Sequence, residues 1–574
     1  MPKSVAEIRA ELTAPGQLCE VDEVDIGGMP MRVWKNAPPT LRAVLDLSAM
    51  HGDKPFIVYE DERLSFAEHY RRAATFAHRL IDDYGVRKGD RVAIAMRNFP
   101  EWLLAFWGAT VTGAIVVPLN AWWTGPELEY GIEDSGAKVL IVDEERAQRL
   151  RPYSDMGLSK VIVGRAQHPL TDAEVAFEDV LGSVSSDVSP PDVPLEPEDD
   201  ATIFYTSGTT GFPKGALGTH RNICTNVLSL AFGAIYASAR KAALTGDAGG
   251  PDVEALASGA AEQAVLLSVP LFHVTGCHAI MLGSISFGGK LVIMYKWDPE
   301  RALELIERER ITTIGGVPAM VWQLLESPSF DKTDISSVSS IGYGGAPAPP
   351  ELVRRIEELF PGRTPTNGWG MTETSSTAAS NNGIDYIQRP DSCGPPLPVN
   401  DVRVVGEDLH DLPQGEAGEL WVRGPNVVKG YWNKPEATAE TFVEGGWLRT
   451  GDIARIDEDG FITITDRAKD MIIRGGENIY SAEVEGALFE HPAVTDVAVF
   501  GIPHDVLGEE VGAVVLLRSG TTATVDELQT HARDRLAAFK VPVRIWFWDD
   551  ELPRNPAGKI LKRDLRDAAL SRDS

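Results

Sequence analysis

The sequence predicts an α/β protein: a large N-terminal domain of α/β subdomains and a small α+β domain at the C-terminal end. Three observations predict it. Strand-like and helix-like segments alternate between residues 55 and 145. The pattern turns to hairpins and short mixed elements near residue 453. And 574 residues are too many for one ordinary core.

The elements follow in order. "FIVYEDERLSF" reads as a two-stranded hairpin, and "FAEHYRRAATFAHRLIDDYG" as an amphipathic helix with apolar positions three and four apart. "DRVAIAM" and "KVLIVD" are apolar runs of strand length. Between them, residues 102–123 are uncharged over about the length that spans a bilayer. Gly113, Pro118 and Asn120 interrupt that stretch, and "AIVVPLN" has strand character, so it reads as a buried helix followed by a buried strand. Residues 183–198, rich in Pro, Ser and acid, read as an exposed connection. Residues 237–263, rich in Ala and Gly, read as an irregular surface insertion. "IARIDEDGFITITD" is a hairpin around Asp459–Gly460. Beyond it come "VTDVAVFGI", "EEVGAVVLL", a helix near 525–537 and "VRIWFW". A boundary at 466–469 divides residues 1–465 from a small domain of residues 470–574.

Composition narrows the function. Lys plus Arg number 54 against 84 Asp plus Glu, a net charge of −30 that repels nucleic acid and anionic membranes. The four cysteines, Cys19, Cys224, Cys277 and Cys393, form no CxxC pair; they read as buried free thiols, not a zinc site or disulfide scaffold. The N-terminal "MPKSVAEIRAEL" lacks the apolar core of a signal peptide, so a cytoplasmic location is expected.

"YTSGTTGFPKG", residues 205–215, has the composition of a phosphate-holding loop, yet it is not the P-loop: Lys214 follows Pro213 and precedes Gly215. G-x-G-x-x-G fails as well. The physical content remains. A strand, "TIFY", precedes the loop and "THRNICTNVL" opens a helix after it. Gly208 and Gly211 let N–H groups turn toward an anion, Thr206, Ser207, Thr209 and Thr210 can donate hydrogen bonds, and Lys214 adds a positive charge.

This loop strongly resembles the phosphate-loop signature of the adenylate-forming superfamily, which includes the acyl-CoA synthetases. Further motifs of that superfamily follow in the expected order: "NGWGMTET" (367–374), "RTGD" (449–452), "DRAKDMIIRGGENIYSAEVE" (466–485) and "NPAGKI" (555–560). The resemblance runs from about residue 40 to about residue 568. It implies a large domain and a small rotating one, with ATP, Mg²⁺ and coenzyme A as ligands. It also implies an acid–thiol ligase reaction: a carboxylate attacks the α-phosphate of ATP, pyrophosphate leaves, and a thiol then takes the acyl group from the adenylate.

The resemblance assigns roles residue by residue. Thr206 to Lys214 would cradle the β- and γ-phosphates; Thr372 would touch the α-phosphate, and Glu373 would hold Mg²⁺. Trp369, Gly370 and Met371 would lie on one side of the adenine site, with Gly345, Ala346 and Pro347 on the other. Asp452 would accept from the ribose hydroxyls and Arg467 would reach ribose or phosphate. Lys559 would contact carboxylate and α-phosphate in the first half-reaction. Lys469 matches the hinge, and Gly475 and Gly476 would line the channel for the coenzyme A thiol. His273, Val274 and Gly344 fall at the acyl site. Two departures are mild: Trp369 replaces the commoner tyrosine, and Lys469 the commoner aspartate.

The expected acyl segments, "HVTGCH", "IGGVPA" and "GYGGA", are small or apolar and hold no arginine. That disfavours a dicarboxylic acid and favours a fatty acid, with an aromatic or alicyclic acid, including a sterol-derived one, as competitor. Coenzyme A is the expected acceptor, a carrier protein the alternative. The expected partners are thus small molecules, with no nucleic acid and no transmembrane segment, and a homodimer is left open. The insertion at 237–263 is a candidate cover for the substrate entrance.

Overall fold

The computed structural model describes residues 3–572 except 154–155, 207–211, 247–261, 347, 349, 476 and 556–557. Two large sheets form the body of the N-terminal domain. The first has seven strands in the order Lys214–Thr219, Asp200–Thr206, Ile115–Pro118, Arg91–Ala95, Val139–Asp143, Lys160–Gly164 and Glu174–Ala176. Its first pair is antiparallel and the rest are parallel. The second has eight strands, with antiparallel pairs at its two ends and parallel pairing between them. Helix Phe66–Asp82, opened by a capping box of Ser65 and Glu68, packs beside helix Pro100–Thr110.

The uncharged stretch at 102–123 resolves as expected. Helix Pro100–Thr110 is buried except at Glu101, and strand Ile115–Pro118 is buried throughout. One helix among the described residues, His220–Thr245, is apolar and long enough to cross a membrane, but 78% of its apolar window is buried inside the fold. All four cysteines are buried and free.

One expectation needs correction and another gains an element. The helix expected after the phosphate-type loop is present and capped by Thr219, but a strand comes before it. Strand Lys214–Thr219 intervenes and pairs back on Asp200–Thr206, so the loop tips a hairpin. The residues after Lys214, "GALGT", carry no marked preference of their own and can serve either element, and sheet pairing decides. The presumed insertion at 237–263 is not irregular from its start, because helix His220–Thr245 runs through its first nine residues. "ASARKAALT" is rich in good helix formers, and the helix stops at Gly246 in the left-handed conformation. Residues 247–261 lie outside the described residues.

A third sheet, centred on Gly418–Arg423 and Trp447–Ile456, ends the large domain with strand Ile462–Arg467. A fourth belongs to the small domain: Glu477–Ile479, Ile472–Arg474, Gly508–Leu517 and Val494–His504, with Arg544–Trp548 parallel to Gly508–Leu517. Helices Ser481–Phe489 and Val525–Arg533 pack together, with Ile472, Val484, Leu488, Val499, Val515 and Leu528 in their core.

Candidate functional site

Three groups of residues converge where the sheets of the large domain meet the small domain. The first surrounds Glu373. Strand Thr364–Met371 ends in a tight turn, Thr372–Thr374, that carries it. Gly370 is required there, since a Cβ would stand 1.7 Å from the Ser376 carbonyl oxygen. Glu373 is buried, and its Oε1 accepts a 2.7 Å hydrogen bond from the Tyr431 hydroxyl. Lys214 Nζ lies 5.1 Å from the centroid of the Tyr431 ring, so Lys214, Tyr431 and Glu373 form one group. Burial, and then the Glu373 charge, push the Tyr431 hydroxyl pKa up, so it stays a hydrogen-bond donor. Thr206 is paired with Lys214 in the hairpin. Ser207, Gly208, Thr209, Thr210 and Gly211 lie outside the described residues, as do Pro347 and Gly476.

The second group is a triad. Trp369 Nε1 donates to Asp452 Oδ2 at 2.9 Å. Arg467 Nε stands 2.9 Å from Asp452 Oδ1, across the pairing of strands Trp447–Ile456 and Ile462–Arg467. Oδ1 is buried and accepts no hydrogen bond among the described residues, because the guanidinium approaches it off-line. Gly344 ends strand Ser340–Gly344 beside Gly368, and Gly345 follows with φ +77. Ala346 is half-buried.

The third group brings in the small domain. Lys559 is held in a turn in which its N–H donates to Asn555 Oδ1 at 3.0 Å, and Arg554 Nη1 donates to the Gly558 carbonyl at 2.8 Å. Burial, then Arg467 and Lys469, lower the Lys559 pKa to about 8, with Asp452 and Glu373 opposing them. Those four groups therefore lie within electrostatic reach of Lys559. So does His273: burial, then the Lys559 charge, lowers its pKa to about 4, and its Nε2 is buried without a hydrogen-bond partner among the described residues. Val274 beside it is buried. Gly475 stands apart. It turns a small hairpin of its own domain, and its N–H donates to the Leu507 carbonyl.

The sequence reading missed the frame that holds Glu373. Ser375 and Ser376 both have positive φ, +51 and +114. Such conformations cost about 1–3 kcal/mol each and persist where surroundings enforce them. Here buried asparagines enforce them. Asn226 donates to the Ser375 carbonyl at 2.8 Å, and Asn426 donates to the Thr374 and Thr377 carbonyls at 3.0 and 3.1 Å. Asn222 fixes the carbonyls of Pro425 and Val427. Tyr431 was missed as well; its signal was an aromatic beside Gly430 in "KGYWN", outside any apolar period.

Comparison with known proteins decides the family. The model of the AMP-binding enzyme family matches residues 46–432, and that of its C-terminal domain matches residues 483–559. The chain belongs to the AMP-binding enzyme family. Among relatives of this AMP-binding enzyme, a feruloyl-CoA synthase of Amycolatopsis is 37% identical over 88% of this chain and 93% of its own. A long-chain-fatty-acid–CoA ligase of Bacillus subtilis is 35% identical over 92% and 94%. The o-succinylbenzoate CoA synthetase of Bacillus subtilis, solved with its acyl-adenylate intermediate, superposes with a TM-score of 0.74 at 28% identity over 92% of this chain and 98% of that one. The AMP-binding enzyme described here is an acid–thiol ligase.

Proposed function

We propose that the enzyme activates a fatty acid with ATP, forming an acyl-adenylate and pyrophosphate, and transfers the acyl group to coenzyme A with release of AMP. The observation that carries this reading is Lys559. A lysine of the small domain lies within electrostatic reach of Glu373, Asp452 and Arg467 of the large domain. A cation there can meet the negative charge that builds on carboxylate and α-phosphate as the bond forms, and preorganised charge of this kind lowers such barriers.

The other residues fit their expected roles. Lys214 and the 206–211 loop hold the pyrophosphate end of ATP. Asp452 Oδ1, buried with no hydrogen bond, accepts from a ribose hydroxyl. Trp369 is tied down by its N–H and offers a ring face to adenine, with Gly370, Met371, Gly345 and Ala346 around it. Glu373 is a single carboxylate, steadied by Tyr431, which suits Mg²⁺ shared with phosphate oxygens and water. When bound, that ion neutralises phosphate charge. Thr372 touches the α-phosphate. Residues 466–469, with Lys469 as pivot, are the hinge between domains 1–465 and 470–574. Rotation there withdraws Lys559 and brings Gly475 and Gly476 to the thiol channel.

His273, Val274 and Gly344 belong to the acyl side. A second reading, an aromatic acid, is favoured by the feruloyl-CoA synthase relative at 37% identity. The enzyme works in the cytoplasm. The test is carboxylate-dependent ATP–pyrophosphate exchange with fatty, aromatic and alicyclic acids, followed with and without coenzyme A. Exchange confined to one class names the substrate. Exchange without AMP turnover on adding coenzyme A names a carrier protein as acceptor.

A further inference from the structure

Beyond the strand at the domain boundary, where Asp466 accepts hydrogen bonds from Ser481, the small domain also meets helix Pro318–Leu325 and its flanking residues. At the N-cap, Val317 stands against Gly558. Gly558 has φ +78, and a Cβ there would lie 2.6 Å from Val317 Cγ2. Within the helix, the Trp322 ring meets Phe489 edge-on, with centroids 5.5 Å apart at 72°. At the C-cap, Glu326 pairs with Arg518.

These contacts run from Val317 to Glu326, nine steps of about 1.5 Å each or roughly 13 Å. They reach three separate segments of the small domain: the turn of Lys559, the end of helix Ser481–Phe489, and the residue after strand Gly508–Leu517. Contacts with three separate segments restrain a rigid body against both rocking and sliding. One of them is immediately beside Lys559.

The same contacts are built to release. The Glu326–Arg518 pair is partly exposed on both sides, so it is screened by solvent. Trp322 Nε1 and Arg518 Nε are buried without hydrogen-bond partners among the described residues, and opening can return them to water. The contact is therefore specific in orientation, and its ion pair opens at little cost.

We infer that helix Pro318–Leu325 is the latch that sets Lys559 for adenylate formation, with Trp322, Phe489, Glu326 and Arg518 as positioning residues that part before thioester formation. This rests on the ligase reading.

Two experiments test it. Trp322→Leu and Phe489→Leu lower ATP–pyrophosphate exchange by roughly 5- to 10-fold, the worth of one edge-on aromatic pair. The rate of thioester formation from supplied acyl-adenylate and coenzyme A is kept, and the double variant loses little more than either single one. Equal losses in both half-reactions would mean a merely structural role and overturn the latch. The second experiment needs no substrate. In Glu326→Cys/Arg518→Cys, a short bismaleimide joins the two positions, detected as a shifted band. The joined enzyme keeps exchange and loses thioester formation. Failure to join overturns the latch. If the parent enzyme shows no exchange with any acid, the ligase reading fails, while the crosslink still decides whether the domains meet at this helix.

Discussion

Lys559 is protonated below about pH 8 because burial, and after it the charges of Arg467 and Lys469, lower its pKa from 10.5. The charged form is the one that meets carboxylate and phosphate. The kcat/KM for ATP, which reports the free enzyme, is therefore expected to fall as pH rises through about 8. The fall in kcat comes at higher pH, since bound phosphates favour the charged lysine. Lys559→Ala lowers exchange by about 10²–10³-fold, the usual loss on removing one preorganised electrostatic group; unchanged exchange in that variant would remove Lys559 from the first half-reaction. Tyr431→Phe leaves Glu373 Oε1 without its hydrogen bond, so the Mg²⁺ concentration needed for half-maximal exchange rises by about tenfold, as befits a hydrogen bond to a charged group. A titration of exchange against Mg²⁺ checks this.

At the scale of elements, the loop after Glu373 depends on buried amides. Asn226→Ala strips the Thr377 N–H of its side-chain acceptor and removes one of two donors to the Ser375 carbonyl, leaving His278 Nδ1. Leaving buried groups unpaired costs about 1–3 kcal/mol each. The variant is expected to unfold at lower denaturant with an unchanged slope, and to lose exchange beyond what its stability explains. Legibility in the sequence divides along the same line. Hairpin 56–65 and helix 66–82 show in local periodicity, because each buries one face against a near neighbour, and strands 91–95 and 139–143 show as short apolar runs, because they are buried on both faces. Lys214, Glu373, Asp452 and Lys559 show because their motifs are short and ordered. Asn226, Asn426 and Tyr431 do not show, because they act across about 50 to 150 residues of chain, the asparagines on backbone groups that carry no side-chain pattern and Tyr431 on the Glu373 carboxylate. Nor does strand Lys214–Thr219, whose identity is decided by its partner strand and not by its own residues.

At the scale of the whole molecule, buried histidines make folding sensitive to acid. His69 is wholly buried, neither ring nitrogen has a hydrogen-bond partner among the described residues, and burial lowers its pKa from 6.5 to about 3. The unfolded chain takes up a proton below about 6.5 and the folded one does not, so stability present above that pH is lost as pH falls toward 3. Denaturant midpoints should decline over this range. His69→Leu should flatten the decline, and an identical decline in that variant would assign it to other groups. In the proposed cycle the site is completed between domains: Glu373, Asp452 and Arg467 lie on the large domain, and Lys559 joins them from the small domain, which meets helix Pro318–Leu325. The most direct measurement is carboxylate-dependent ATP–pyrophosphate exchange over fatty, aromatic and alicyclic acids, repeated with Lys559→Ala. The account predicts exchange with fatty acids in the parent enzyme, its loss in the variant, and AMP turnover that requires coenzyme A. Exchange that persists at full rate without Lys559, or absence of exchange with every acid despite ATP binding, would contradict it.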